Sequence, residues 1–311
     1  MESENKIPIK PPRLKPGDTI GIVAPASPFD RERFSKGRAV LESMGFRIVV
    51  EDDIFFKREY LAGTDAQRAD LINRLFVDPA IKAIVCARGG FGSMRILSLL
   101  DYETIQKHPK AFIGFSDISA LLSVFNARCG LVTFHGPMVT TLSDAAQKTK
   151  DALFAAVTAD IKPELTPSSG RTIKPGQASG PVAGGNLSTL CHLVGTPFAP
   201  DFKGRILFLE DKDEAAYRID RMLSQMKLAG CFNGLAGMML GSFEACGDYD
   251  EIYRIVEETF GDVDIPILAG FDIGHGQTNI TIPLGVSATL DTDRQKLIYH
   301  EPATVPNISR V

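Results

Sequence analysis

Short runs of apolar, mostly β-branched residues alternate with longer amphipathic stretches in the first half of the chain. Continuous apolar runs are typical of strands buried on both faces of a parallel sheet, and the longer stretches have helical periodicity. The predicted strands cover 19–24, 46–50, 81–87, 111–115 and 131–134, and the predicted helices cover 31–44, 65–76, a segment from about 93, and 117–127. This alternation predicts a doubly wound α/β domain with a parallel sheet.

The pattern changes over residues 161–181, where Pro, Gly, Ser and Thr dominate and helical periodicity is absent. We interpret this segment as a linker between an N-terminal domain, 1–160, and a C-terminal domain, 182–311. The C-terminal half contains predicted strands at 205–209, 235–240, 266–269, 279–282, 286–290 and 296–299, and predicted helices at 215–228 and 249–260. Short, turn-like connections join the last strands, which predicts an antiparallel element added to α/β structure.

Composition narrows the class of protein without identifying it. The 311 residues, 44% of them hydrophobic and 23% charged, suit a soluble protein of two domains. A net charge of −4 with interspersed signs gives no basic face, so nucleic acid is not an expected partner. The polar, proline-rich start has no signal-peptide core and no segment is apolar enough to span a bilayer, so we expect a cytoplasmic protein without membrane association.

No pattern of metal ligands or cofactor contacts is present in the sequence. The five cysteines are odd in number and form no Cys-x-x-Cys pair, and no His-Glu-x-x-His motif occurs. The glycine-rich loop Arg88-Gly89-Gly90-Phe91-Gly92 permits close backbone approach to a ligand, but its spacing fits neither a dinucleotide fingerprint nor a P-loop. We therefore predict no metal and no cofactor.

Ser116 lies where the predicted strand AFIGF passes directly into a helix. A serine on such a turn presents its hydroxyl beside the positive end of the helix dipole, and the free amide of Asp117 could bind an oxyanion. Serine is also a frequent N-cap residue, and from this tetrapeptide alone the cap is favoured. Ile118 replaces the second glycine of the Gly-x-Ser-x-Gly elbow.

His275 and Glu210 are candidate partners for a serine nucleophile. His275 lies between Gly274 and Gly276, whose lack of side chains leaves the imidazole accessible, but His135 also precedes a glycine in a loop, and spacing does not choose between them. Glu210 follows a predicted strand, where a carboxylate could orient an imidazole. It could equally be a solvated surface acid.

Eight motifs, taken together, carry a family resemblance between about Leu14 and Leu290. They occur in the order LKPGDTIGIVAPAS, ARGGFGSMRIL, FIGFSDISALL, FHGPM, GNLSTLCHLVGTP, ILFLED, YRIDRML and AGFDIGHG. This series resembles the LD-carboxypeptidase family, also called muramoyltetrapeptide carboxypeptidases, which are serine peptidases. The resemblance implies a flavodoxin-like N-terminal domain, a smaller β-rich α/β C-terminal domain, a cleft between them, a homodimer and no metal.

The resemblance also implies a site and a reaction. Ser116 matches the nucleophile of the family, Glu210 the acid and His275 the base. The expected reaction removes the terminal D-alanine from a murein tetrapeptide by cleaving its bond to the L-centre of meso-diaminopimelate. The amides of Asp117 and Gly90 are the expected oxyanion hole.

Residues that bind the substrate are predicted less directly. Arg88 or Arg218 could hold the terminal carboxylate, although either could form an ordinary surface salt bridge, and Gly89 and His135 lie in loops expected at the site. One alternative within the family is a microcin C7 self-immunity peptidase, which would favour an aromatic residue for stacking on a nucleobase. An alternative of another class is a non-catalytic peptide-binding protein, whose affinity would survive Ser116→Ala and which would show no turnover.

Overall fold

The computed structural model describes residues 8–307, which form two sheets flanked by helices. None of the helices in that range combines the length and the apolar character needed to cross a membrane. The strands are β1 (Thr19–Val23), β2 (Arg47–Val49), β3 (Ile81–Cys86), β4 (Ala111–Gly114), β5 (Thr133–His135), β6 (Glu164–Leu165), β7 (Arg171–Lys174), β8 (Gln177–Asn186), β9 (Ile206–Lys212), β10 (Gly237–Glu244), β11 (Ile267–Ala269), β12 (Ile282–Leu284), β13 (Ser287–Asp291) and β14 (Lys296–Tyr299). The α-helices are α1 (Arg31–Ser43), α2 (Asp65–Val77), α3 (Ser93–Ile96), α4 (Tyr102–Lys107), α5 (Ser119–Cys129), α6 (Val139–Leu142), α7 (Gln147–Thr158), α8 (Leu187–His192), α9 (Ala216–Leu228) and α10 (Tyr249–Thr259).

The first sheet confirms the predicted doubly wound domain. Its order is β12-β5-β4-β3-β1-β2, and β1 to β5 are parallel. Without β12 this is the flavodoxin-like order 2-1-3-4-5. The strand predicted at 279–282 was expected in the antiparallel C-terminal element, but β12 instead pairs antiparallel with β5. The correction has a physical cause, because β12 covers the edge that β5 would otherwise leave open.

The second sheet has the order β6-β14-β13-β8-β9-β10-β11-β7, with β8 to β11 parallel and antiparallel strands on both sides. The predicted mixture of α/β and antiparallel structure is therefore present. The interpretation of 161–181 as a linker requires correction, because this segment forms β6, β7 and the start of β8. Its polar, proline-rich composition is compatible with short strands near a sheet edge. We propose that the division between the halves lies near residue 160.

Successive side chains of β9 show how the two halves are held together. Ile206 and Phe208 pack into the apolar core that the first half forms, whereas Leu207 and Leu209 pack into a second core with the helices of the C-terminal half. Side chains alternate between the two faces of a strand, so one sheet contributes to both cores. The two halves are therefore joined by continuous apolar packing, which fixes the position of residues that face each other between them.

Candidate active site

Ser116 lies on a strained turn at the carboxyl end of β4. Its φ is +64°, a left-handed value that is uncommon for a residue with a side chain. Phe115 before it is extended, and a 3-10 turn over Ser116–Ile118 leads directly into α5. Such strain persists only where the surrounding structure holds it, and it is concentrated at functional sites. The turn directs the Ser116 side chain into a cavity between the two halves.

The glycine-rich loop after β3 packs against this turn. The Ser93 amide donates to the Asp117 carboxylate at 2.9 Å, and burial raises the pKa of Asp117. The Phe91 amide donates to Ser27 Oγ at 3.1 Å. The Gly90 amide, with φ +105°, donates to no acceptor within residues 8–307. The loop is therefore anchored on both sides of an amide that remains free to bind a ligand.

Glu210 and His275 form a hydrogen-bonded pair. The Nδ1 atom of His275 lies 2.6 Å from Oε2 of Glu210, and their side chains are 16% and 0% exposed. Burial lowers the pKa of His275, but the charge of Glu210 and the hydrogen bond to it outweigh burial, so the pKa lies above its ordinary value. A buried acid that orients a partly exposed imidazole is the arrangement a general base requires.

Backbone contacts hold the loop that carries His275. The Gly274 amide donates to Asn279 Oδ1 and the Gly276 amide donates to Ser242 Oγ, both at 3.0 Å. Gly274 has φ +113°, and a Cβ atom there would lie 2.8 Å from Ser242 Oγ and 2.9 Å from Glu210 Cβ. The glycine is required because any side chain would intrude on the acid that orients the histidine.

A cavity of about 730 Å³ is lined by both Ser116 and His275. Both halves of the chain line it: Ser116, Gly89 and Gly90 come from the first half and His275 from the second. The Phe115 and His275 rings lie 4.8 Å apart between centroids, which brings His275 beside the turn that carries Ser116. Within residues 8–307 no hydrogen bond joins the Ser116 hydroxyl to His275. Hydrogen bonds between a hydroxyl and a general base often form only when substrate is bound.

A chain of hydrogen bonds connects residues near Ser116 to residues near Glu210. The Asn186 amide at the end of β8 donates to Ser119 Oγ, in the first turn of α5, at 2.9 Å. The Asn186 side chain donates to Asp211 Oδ1 at 2.9 Å, and the Ser188 amide donates to Asp211 Oδ2 at 2.8 Å. Burial raises the pKa of Asp211. Asp211 thus braces the turn after β8.

We expect Ser119→Ala to lower the free energy of unfolding by about 1–3 kcal/mol, because it leaves the buried Asn186 amide without a partner. Urea unfolding monitored by circular dichroism measures the change. Ser35→Ala on the exposed face of α1 is the matched control and should change stability by less than about 0.5 kcal/mol. Equal effects of the two substitutions would contradict a stabilising hydrogen bond between the Asn186 amide and Ser119.

The other predicted substrate-binding residues occupy different places. Arg88 lines the cavity, and its Nη1 donates to the Pro28 carbonyl at 2.6 Å. Arg218 instead lies on the exposed side of α9, 3.4 Å from the Glu214 carboxylate, and is not among the residues that line the cavity. His135 is fully buried and also lies outside that lining. Geometry thus brings Arg88 to the site and leaves Arg218 outside it.

Several residues of the site were missed from the sequence. Arg33 and Lys212 line the cavity and add positive charge to it, and no local pattern distinguishes them from surface cations. Asn186 had a signal, because it follows a glycine within one of the eight motifs. Within residues 8–307, no three or more His, Cys, Asp or Glu side chains are grouped so as to hold a metal ion.

Comparison with known proteins gives a consistent result over most of the chain. Residues 20–136 match the family model described as the LD-carboxypeptidase N-terminal domain, and residues 179–290 match the LD-carboxypeptidase C-terminal domain. A probable murein peptide carboxypeptidase of Bacillus subtilis is 38% identical over 91% of this chain and 92% of its own length.

Two solved structures show which relatives share the fold. That of the muramoyltetrapeptide carboxypeptidase from Oxalobacter formigenes has a TM-score of 0.79 at 28% identity, over 90% of this chain and 97% of its own. That of a microcin C7 self-immunity protein has a TM-score of 0.88 at 28% identity, over 96% of this chain and 100% of its own. The Escherichia coli microcin C7 self-immunity protein is 30% identical over 93% of this chain and 94% of its length.

Proposed function

Since the chain belongs to the LD-carboxypeptidase family and is a carboxypeptidase, we propose that it removes the terminal D-alanine from a murein tetrapeptide through Ser116, His275 and Glu210. The observation that carries the proposal is the hydrogen bond between His275 and Glu210. His275 lines the same cavity as Ser116. Relatives named for murein peptides support this substrate class.

The proposed mechanism is acyl transfer through a covalent intermediate. His275 accepts the Ser116 proton as the hydroxyl oxygen attacks the carbonyl carbon of the diamino acid, and Glu210 stabilises the imidazolium. The amides of Asp117 and Gly90 bind the oxyanion, for which the free Gly90 amide is suited. His275 then protonates the leaving amine, D-alanine departs, and water hydrolyses the ester on Ser116.

We assign the substrate's terminal carboxylate to Arg88. Arg88 lines the cavity, and within residues 8–307 its guanidinium forms no ion pair. Lys212, which lines the same cavity, is a second cation within it. Arg33 is less available, because its Nη2 lies 3.1 Å from the Asp144 carboxylate. A guanidinium without an acidic partner can donate two parallel hydrogen bonds to a carboxylate.

The test of this proposal is incubation with a meso-diaminopimelate tetrapeptide that ends in D-alanine, followed by mass spectrometry. We expect loss of one alanine, and no loss from the matched peptide that ends in L-alanine. Ser116→Ala should be inactive on both. Failure of the wild-type enzyme to release D-alanine would contradict the proposed substrate.

The second candidate is a microcin-type peptidase that cleaves an aminoacyl nucleotide. The similarity to the microcin C7 self-immunity protein favours it, as does Phe91, which lines the cavity, is 46% exposed and lies 5.8 Å from the Tyr60 ring between centroids. These rings could stack on a base. The absence of tryptophan from the chain weighs mildly against this substrate. Turnover of a processed microcin, but not of the tetrapeptide, would favour the second candidate.

We also propose that the enzyme acts as a homodimer in the cytoplasm, where murein fragments are recycled. Light scattering after gel filtration would measure the mass of the particle in solution. A mass equal to that of one chain would contradict the dimer. Fractionation of cells that express the protein at its natural level would test the compartment.

We expect Gly89→Ala to lower kcat/KM by about ten- to a hundredfold with little change in stability. The new Cβ would lie 3.0 Å from Ser116 Cβ and 3.2 Å from its Oγ, so it would displace the nucleophile, and small displacements of reacting groups are costly. Steady-state kinetics measures the effect. Gly261→Ala, at a turn after α10, is the matched control and should retain full activity. Unchanged kinetics in Gly89→Ala would contradict contact between the loop and the nucleophile.

A further inference from the structure

His135 occupies a position between the strand of the nucleophile and the strand of the acid. It ends β5, where it is paired with Gly114 of β4 and with Ile282 of β12. Its ring is fully buried, 5.8 Å from the Phe115 ring and 4.9 Å from the Phe208 ring between centroids. Phe115 precedes the nucleophile and Phe208 is two residues before the acid, so His135 contacts both parts of the site.

Three buried polar atoms at this position have no hydrogen-bond partner among the described residues. Within residues 8–307, neither ring nitrogen of His135 is hydrogen bonded, and neither is Oε1 of Glu210. The Nε2 atom of His135 lies 4.0 Å from that oxygen, and both side chains are 0% exposed. Buried donors and acceptors are almost always paired, so this nitrogen and this oxygen are natural partners for each other.

We propose that His135 is a positioning residue that donates its Nε2–H to Oε1 of Glu210 and thereby holds Oε2 toward His275. The approach needed is about 1 Å, the difference between the observed separation and an ordinary hydrogen bond. Comparable tightening accompanies substrate binding at many catalytic sites. The inference rests on the proposed function, because it takes the Ser-His-Glu triad as given.

Charge favours a neutral His135 in this role. Burial lowers the pKa of His135 to about 4, against the opposing charge of Glu210. The charged or titratable groups that act on it are Glu210 from β9 and His275 from the loop after β11. A neutral ring carries one N–H and leaves the charge of Glu210 available to His275, whereas a protonated ring would compete for the same carboxylate.

The first test needs no substitution and no substrate. Nitrogen-15 spectra of the imidazoles in the wild-type protein at neutral pH report which ring nitrogen of His135 carries the proton. We expect protonation at Nε2. A phosphonate bound covalently to Ser116 should strengthen the hydrogen bond from that N–H to Glu210. A His135 ring protonated only at Nδ1 would overturn the proposal.

The second test compares His135→Phe, which fills the space without a donor, with His135→Gln, which can retain one. We expect His135→Phe to lower kcat by about ten- to a hundredfold with little change in KM. Losses of this size follow when a hydrogen-bond partner that orients a metal-binding side chain is removed from other enzymes. His135→Gln should recover most of the loss. Equal activity of both variants and the wild type, or equal loss in both, would overturn the proposal.

The pH dependence separates positioning from a merely structural role. Without the donor, more negative charge on Glu210 faces His275, so the acid limb of kcat/KM should move to higher pH in His135→Phe and stay in place in His135→Gln. A structural role would lower stability and leave the limb unmoved, which would overturn the proposal. Absence of peptide cleavage by the wild type would instead overturn the proposed function, while the imidazole spectra would still test the pairing.

Discussion

Replacement of Ser116 by alanine is expected to lower kcat for the tetrapeptide by about a hundred-thousandfold or more, because the attacking oxygen is lost and the remaining site cannot form an acyl-enzyme. Loss of alanine from the peptide, followed by mass spectrometry over long incubations, measures the residual rate. Binding should survive, since the cavity and its cations are unchanged. Retention of more than about a hundredth of the wild-type rate would exclude Ser116 as the nucleophile.

Ser116→Gly provides the control that separates the lost hydroxyl from a damaged fold. Both variants lack the nucleophile, but only glycine adopts φ +64° without cost. We therefore expect Ser116→Gly to be as inactive as Ser116→Ala and more stable by about 1 kcal/mol. Urea unfolding measures the difference. Equal stability of the two variants would contradict strain at this turn.

Local patterns were sufficient to predict the turn that carries Ser116. The apolar strand before Ser116 and the amphipathic segment after it fix a strand-to-helix junction, and the junction places the hydroxyl at the carboxyl edge of the sheet. The parallel strands of the first half were predicted for the same reason, since burial on both faces requires continuous apolar runs. These features depend on neighbours in sequence.

The contact between Glu210 and His275 depends on packing that no local pattern encodes. The two residues are 65 positions apart, and their distance is set by β9 and by the loop after β11. Spacing could not separate His275 from His135, whereas burial does, because one ring is partly accessible and the other is sealed. The pairing of β12 with the first sheet was also missed, since a short strand carries no signal for which sheet it joins.

The second large effect is expected for Glu210→Gln, which should lower kcat by about a thousand- to ten-thousandfold. The amide is nearly isosteric with the carboxylate, but its NH2 group can donate to Nδ1 of His275 and so favour the tautomer with a proton on Nε2. That tautomer cannot accept the proton of Ser116. Glu244→Gln, an exposed acid at the end of β10, is the matched control and should retain wild-type kinetics. A Glu210→Gln variant within tenfold of the wild type would contradict the role of the acid.

The pH profile of this variant tests the same pair through its charge. His275 acts as a base only when deprotonated, and Glu210 raises its pKa, so the acid limb of kcat/KM in the wild type should lie above about 6.5. Glu210→Gln removes the charge and leaves burial, which lowers the pKa, so the limb should move to lower pH even as the rate falls.

In the wild type, a folded-state pKa above the unfolded value means that His275 contributes stability in full below about pH 6.5 and loses it as pH rises through the folded value. In Glu210→Gln that decline should disappear, because the imidazole no longer gains a proton-dependent partner on folding. Urea unfolding across pH 6 to 9 compares the two proteins, with Glu244→Gln as the control that keeps the wild-type slope. A decline of equal size in Glu210→Gln would show that another group causes it, and the raised pKa of His275 would then not come from its pairing with Glu210.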